Sequence, residues 1–158
     1  MVLEKKGFLP KKMYKKVMDV SPMCCVDVVF LNKQKNKILL FKRTNEPLKG
    51  RYFTIGGRLM KGEKLLDCAV RQAKRELGFV LNPKKTFFAG VIEEQWKKSS
   101  FPGISYHDID IYYGYILENK HVTIKFDAQH SDYKWFSVRD KKLHPYIKER
   151  IKQILTKI

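Results

Sequence analysis

The stretch that most constrains this chain is Gly56–Phe79, "GGRLMKGEKLLDCAVRQAKRELGF". Leu65, Leu66, Ala69, Val70, Ala73 and Leu77 recur at helical spacing, which predicts a helix with one buried face. Gly78 follows the last apolar position and supplies a C-terminal stop. Upstream, Gly56–Gly57 lets the backbone approach another group closely. At about 100° per residue, Glu76 lies roughly 60° from the centre of the apolar stripe near Ala73, and Gln72 roughly 100°. Glu76 therefore falls at the seam between the helix and whatever it packs on. A carboxylate there needs a counter-charge, either an arginine or a cation. The glycine pair, with its exposed backbone, favours the cation.

The rest of the chain reads mostly as strands. Pro10–Val20 predicts a short helix beginning at its proline. Met23–Leu31 and Lys37–Thr44 are strands joined by the turn "NKQKN", hence a hairpin. "YFTIGGRLM" predicts a short strand broken at the two glycines, and Lys85–Trp96, Ile109–Leu117, His121–Phe126 and Tyr133–Val138 predict four more. The closing segment "LHPYIKERIKQILTKI" predicts an amphipathic helix with Ile147, Ile151, Ile154 and Leu155 on one face. The expected class is α+β, an α/β/α sandwich in which helices cover a mixed sheet. With 158 residues, 44% of them hydrophobic, residues 1–158 are long enough for one domain with one well-buried core.

No apolar run approaches the roughly 20 residues that span a bilayer. The first twenty residues lack the continuous apolar core of a secretory signal, so a cytoplasmic location without membrane contact is expected. Cys24 and Cys25 are adjacent and point to opposite faces of a strand, Cys68 stands alone, and no CxxC pair suggests zinc. Buried free thiols are expected. The formal charge of +17 favours polyanionic partners, from nucleic acid to a phosphorylated small molecule. The lysines, however, are scattered in the manner of a solvated surface, so nucleic acid is not the expected partner. Arg43, Arg51, Arg58, Arg71 and Arg75 are confined to one stretch.

Gly57, five residues, Glu63, seven residues, Arg71, then Glu76 and Gly78: this spacing resembles the box of the Nudix hydrolase superfamily, here Gly57–Phe79. Two glutamates of that pattern are replaced, by Gln72 and Arg75. The altered box, with "LFKRTNEPLKGRYFTIGGRLMKGE" and "AQHSDYKW", is similar to the GDP-mannose mannosyl hydrolase branch over roughly Ser21–Ser137. That resemblance implies cleavage of a nucleotide sugar at its anomeric carbon, with inversion, to GDP and free sugar. It implies Mg²⁺ (Mn²⁺ as a substitute) held by the Gly56 carbonyl, Glu76 and Gln129, and His130 as general base. It places Arg43 and Arg58 against the leaving diphosphate and Asp27 near the sugar, leaves Arg71 structural, and implies a homodimer.

The chemistry is coherent. A nucleoside diphosphate leaves readily once a cation and two arginines take up its charge, so a strong general acid is dispensable. Inversion then needs a base on the opposite face of the ring, and imidazole titrates in the right range. Asp132 could orient His130, bind sugar hydroxyls or only cap a loop. His107 reads as a loop residue, and His121 and His144 as surface positions. Tyr52, Phe53 and Trp96 either stack on a ligand or pack in the core. Glu94 and Asp110 depart from the branch, where a histidine and a tyrosine are expected in the substrate-facing region. Two alternatives stand beside this reading: a pyrophosphohydrolase attacking phosphorus, which would want the two missing carboxylates, and a non-catalytic nucleotide- or RNA-binding scaffold drawing on the positive charge.

Overall fold

Strand β1 (Met23–Asn32) organises the molecule. A computed structural model of the chain describes residues 7–119 and 122–158. Among them, helix α1 (Lys11–Val20) precedes β1, and β2 (Lys37–Arg43), β3 (Tyr52–Phe53) and β4 (Ile55–Arg58) follow it. Helix α2 (Leu65–Leu77) leads through a single turn of 3₁₀ helix at Pro83–Lys85 to β5 (Thr86–Trp96) and β6 (Tyr106–Leu117). Strand β7 (His130–Ser137) and helix α3 (Pro145–Leu155) complete the fold.

One edge of β1 runs parallel to β6 over all ten residues, from Met23 opposite Asp108 to Asn32 opposite Leu117. The other edge is shared: β2 pairs at Phe30–Leu31 and β4 at Cys25–Val28, both antiparallel. The sheet is therefore mixed, in the order β3-β2-β1-β6-β5, with β4 on β1 and β7 on β2. Side chains alternate along β1 into two layers. Val26, Val28 and Phe30 pack against Ala69, Ala73 and Leu77 of α2, and Val29 and Leu31 cluster with Ile147, Ile151 and Ile154 of α3. That is the α/β/α sandwich expected, with its apolar residues divided between the two faces of the sheet. Helix α1 adds a smaller cluster in which Met18 meets Met23, Cys25 and Phe101.

Several expected elements differ. The break in "YFTIGGRLM" falls at Thr54, because β3 pairs with β2 and β4 with β1 and the chain changes partner between them. Gly56 and Gly57 lie inside β4. They are needed for close approach: a Cβ on Gly56 would stand 1.8 Å from Asp27 Oδ1, and one on Gly57 2.5 Å from Gln72 Nε2. Of the strand expected at 121–126, His121 lies outside the described residues, and 122–126 join no sheet. They run extended along the end of α2, where the Lys125 N–H donates to the Leu77 carbonyl and the Asp127 N–H to that of Glu76. Val122, Ile124 and Phe126 alternate onto the core, so the period-two pattern reported an extended segment whose partner is a helix terminus.

Strand β6 begins early enough to include His107, which pairs with Gln95 and binds Glu93, so it is not a loop residue. On α3, Leu155 is exposed, and the charged Arg150 is buried beside Ile147 and Ile151 instead. His144 caps α3, accepting from the Tyr146 N–H, and its ring lies against Trp96; it is half-buried rather than a plain surface position. Cys24 is exposed, whereas Cys25 and Cys68 are buried, and all three are free.

Candidate active site

Helix α2 presents three residues toward the sheet at its C-terminal half: Gln72, Arg75 and Glu76. Gln72 and Glu76 are buried, and Arg75 is partly exposed. Gly78 adopts the left-handed conformation (φ 64°) that ends the helix after Leu77. The turn leading into α2 is locked by a bidentate pair. Arg71 donates from Nε and a terminal nitrogen to the two oxygens of Glu63, at 2.6 and 2.8 Å, and reaches the Arg58 carbonyl at 3.1 Å. Burial would raise the Glu63 carboxyl, but Arg71 and the Met60 N–H bring it down to about 2. Arg71 is structural, as expected.

Glu76 has the opposite environment. Enclosed at the seam, its carboxyl is pushed up to about 8 by burial, against the pull of Arg75, whose guanidinium donates to Oε1 at 3.1 Å. Its other oxygen, Oε2, has no hydrogen-bond partner among the described residues. Of the two counter-charges foreseen for this position, the arginine is present on one oxygen, and the other oxygen is left as an open acceptor. Asp127 and His130 stand beside Glu76, and one donor atom from each of the three lies within 4.8 Å of the others. A buried carboxylate oxygen without a partner, a second carboxylate and an imidazole make a donor set that suits a divalent cation.

His130 opens β7, opposite Arg43 across a bulge in the β2–β7 ladder. Its imidazole is enclosed, edge-on to Phe41. Nδ1 lies 3.1 Å from Asp127 Oδ1 and 3.6 Å from Glu76 Oε2, while Nε2 has no hydrogen-bond partner among the described residues. Asp127 also accepts from the Gln129 N–H at 3.0 Å, so one carboxylate sets both residues. Asp132 lies apart: it is exposed and accepts from the Tyr52 hydroxyl at 2.6 Å.

A cavity of about 250 Å³ opens in front of these elements. Arg43, Arg58 and Arg75 line one side of it, with Gly56, Gln72 and Gln129. Arg43 is steadied by its loop, donating to the Pro47 carbonyl at 2.7 Å and to Asn45 at 3.2 Å. Asp27, Glu94 and Asp108 line the other side, and Phe53, Trp96 and the N-terminal Phe8 and Tyr14 contribute aromatic wall. The structure thus brings Asp27, Arg43, Gly56, Arg58 and Gln129 to one cavity. Glu76 and His130 sit behind its wall, and Asp132 is not part of it. Tyr52 is likewise engaged elsewhere, with Asp132 and Phe136.

Beneath the acidic side lies Arg150, fully buried. It donates to Glu94 and Asp110, and to Asp27 at 3.3 Å. Burial alone would depress this guanidinium, yet Asp110, Glu94 and Asp27 hold it raised. Of the two departures in the substrate-facing region, Glu94 does face the cavity, whereas Asp110 is turned onto Arg150. Sequence reasoning missed Arg150, Asp127 and Asp108. The signal for Arg150 was present, a cation in the apolar stripe Ile147–Ile151–Ile154, whereas Asp127 and Asp108 carry no spacing that marks them.

A family model for the NUDIX domain matches residues 23–157. The chain belongs to the Nudix family. Among similar proteins is the low-salt glycan biosynthesis protein Agl8 of Haloferax volcanii, 30% identical over 140 residues, covering 88% of this chain and 86% of that protein. An ADP-ribose pyrophosphatase of Methanocaldococcus jannaschii is 38% identical over 72 residues, 46% of this chain and 40% of that protein. The Nudix fold is also that of the NUDIX domain of Shewanella oneidensis NrtR, whose structure is a complex with ADP ribose (TM-score 0.67, 18% identity, 94% and 99% of the two chains). A MutT NUDIX hydrolase from Burkholderia pseudomallei has the same fold (TM-score 0.65, 19% identity, 85% and 98%). In this Nudix hydrolase the box supplies the Glu63–Arg71 lock and one buried carboxylate, Glu76.

Proposed function

We propose that this Nudix hydrolase cleaves a nucleoside diphosphate sugar of the GDP-mannose kind at its anomeric carbon, releasing GDP and the inverted free sugar. The observation that carries the reading is the arrangement at the end of α2. Its helix offers the single carboxylate Glu76 flanked by Gln72 and Arg75, the start of β7 brings His130 beside it, and Gln129, the residue before β7, lines the cavity. One carboxylate is thin support for several cations and attack at phosphorus, but it suffices when the protein has only to stabilise a diphosphate that leaves.

On this reading Glu76, Gln129 and the Gly56 carbonyl hold the divalent ion, Mg²⁺ with Mn²⁺ as a substitute; Asp127 is a further candidate. The ion supplies charge to offset that developing on the diphosphate. Arg43 and Arg58 do the same from the cavity wall, and Asp27 faces the sugar. Asp127 keeps a proton on His130 Nδ1, which leaves Nε2 to accept one from water. The water oxygen bonds to the anomeric carbon, the bond from that carbon to the diphosphate oxygen breaks, and its electron pair leaves with GDP. Because the imidazole is enclosed, the 122–129 segment has to admit that water. A homodimer acting in the cytoplasm on a small nucleotide substrate, with no nucleic acid partner, completes the proposal.

A second reading, attack at phosphorus, is favoured by the local similarity to the ADP-ribose pyrophosphatase. Proton and phosphorus NMR of a reaction with GDP-mannose and Mg²⁺ separates the two: β-mannose with GDP supports the first, and GMP with mannose 1-phosphate the second. Replacing His130 with Gln should lower kcat by about 10²–10⁴ with little change in substrate binding. Turnover close to that of the parent protein would remove His130 as the base.

A further inference from the structure

The cavity is electrically divided across β1. On one side of that strand, β4 and the end of β2 bring Arg58 and Arg43, and α2 brings Arg75. On the other side, β6 and β5 bring Asp108 and Glu94, which are paired opposite each other in the sheet. Asp27 stands on β1 itself. A ligand filling this space meets cations at one end and acids at the other.

The acidic end is not balanced from within. Asp27, Glu94 and Asp110 converge on Arg150, the one cation hydrogen-bonded to them among the described residues. Asp27 is further held by the Thr54 hydroxyl, and Glu94 by the Trp96 indole N–H at 3.3 Å. Asp108 shares none of these partners. It is 5% exposed, it lines the cavity, its carboxyl is hydrogen-bonded by the Cys25 side chain, and its Oδ1 has no hydrogen-bond partner among the described residues. A buried carboxyl oxygen without a partner, on a residue that lines a cavity, lacks a donor, and a ligand that reaches it can bring one.

We propose that Asp108, backed by Glu94, is the specificity-determining residue for the glycosyl group: it accepts a hydrogen bond from a neutral or amine-bearing sugar and excludes an acidic one. This rests on the reading of the cavity as a nucleotide-sugar site, and it adds the sign of charge that the sugar can carry. The arginine end takes the diphosphate. The opposite end cannot take a second anion, because a sugar carboxylate would lie among Asp27, Glu94 and Asp108 with Arg150 already committed. Juxtaposed like charges in a water-poor site cost several kcal/mol. A hydroxyl or ammonium there meets Asp108 Oδ1, which has no hydrogen-bond partner among the described residues. Burial first, and then the charges of Glu94 and Asp27, push the Asp108 carboxyl up to about 8. An ammonium would draw that proton off and be held by the resulting charge, whereas a carboxylate would add to the crowding.

The test is equilibrium binding of a matched pair, a guanosine diphosphate hexose and the same compound oxidised to the carboxylate at C6. Isothermal titration in EDTA prevents metal-assisted hydrolysis from competing, and the shared diphosphate cancels in the ratio. The full-length protein should bind the neutral compound about 100-fold more tightly, the ratio that like-charge repulsion implies. Measured above about pH 8, where Asp108 carries its charge, Asp108→Asn keeps the shape, removes that charge and should narrow the ratio at least about tenfold. Asp108→Ser serves the same purpose should the amide be accommodated badly, and circular dichroism confirms that both variants fold. Equal binding of the two compounds, a ratio untouched in both variants, or binding of neither compound at millimolar concentration overturns the assignment. Product analysis with Mg²⁺ is a separate measurement: hydrolysis at phosphorus, or none, removes the proposed reaction and leaves the binding ratio to decide the role of Asp108.

Discussion

Arg71 and Arg150 are both held by acids, and they teach opposite lessons. Arg71 meets one carboxylate, Glu63, through two hydrogen bonds and takes a carbonyl as well. Charges cancel one to one at the turn that starts α2, and the result is a lock. Arg150 meets three carboxylates, and a fourth, Asp108, lies close enough to feel their charge. Arg150 alone cannot balance four acids, so burial and the neighbouring carboxylates hold a proton on Asp108 up to about pH 8, next to a cavity. A buried ion pair that balances builds structure; one that does not balance builds a site.

The comparison breaks most visibly at Arg150. Arg150→Leu strands three buried carboxylates and should cost about 3–5 kcal/mol in urea unfolding. A loss below about 1 kcal/mol would show that those acids are already protonated in the folded protein. Glu63→Gln should cost about 1–3 kcal/mol, since it weakens hydrogen bonds to a charged partner without burying a bare charge; a cost equal to that at Arg150 would erase the distinction.

The two clusters should also respond to pH with opposite signs. Glu63 has its carboxyl lowered from 4.5 to about 2. Its contribution is complete above the unfolded value and disappears as pH falls toward about 2. Asp108 is raised from 3.8 to about 8, so the folded protein holds a proton that the unfolded chain releases. Its contribution is complete below the unfolded value and is lost as pH climbs from there through about 8. Urea midpoints from pH 2 to 9 should therefore lose an acid-side slope in Glu63→Gln and a neutral-side slope in Asp108→Asn. The same slopes in parent and variants would refute both assignments. The smallest effect belongs to Leu155→Ala, within about 0.5 kcal/mol because that side chain is exposed, whereas Ile154→Ala on the buried face should cost about 2–5 kcal/mol.

Periodicity made the sandwich legible. The stripe in α2, the run in β1 and the alternation at 122–126 each reported a burial pattern, and burial is what periodicity records. It could not say that the alternating segment would dock on a helix terminus, because a row of apolar side chains does not name its backbone partner. The glycines of β4 were recognised as sites of close approach, yet the strand break was placed on them, since the change of partner at Thr54 leaves no mark in composition. The box fixed Glu63, Arg71 and Glu76 by spacing. Asp127, Asp108 and Arg150 owe their places to contacts across 40 to 123 positions of chain where Arg150 is concerned, and local spacing holds no record of those.

The two backbone hydrogen bonds from Lys125 and Asp127 to the last carbonyls of α2 have a mechanical consequence. They fasten the segment that delivers Gln129 and His130 to the helix turn that carries Glu76. Any excursion that lets water reach the imidazole pulls on that turn, so opening the segment and loosening Glu76 are one movement. Amide hydrogen exchange at Lys125 and Asp127 would time both.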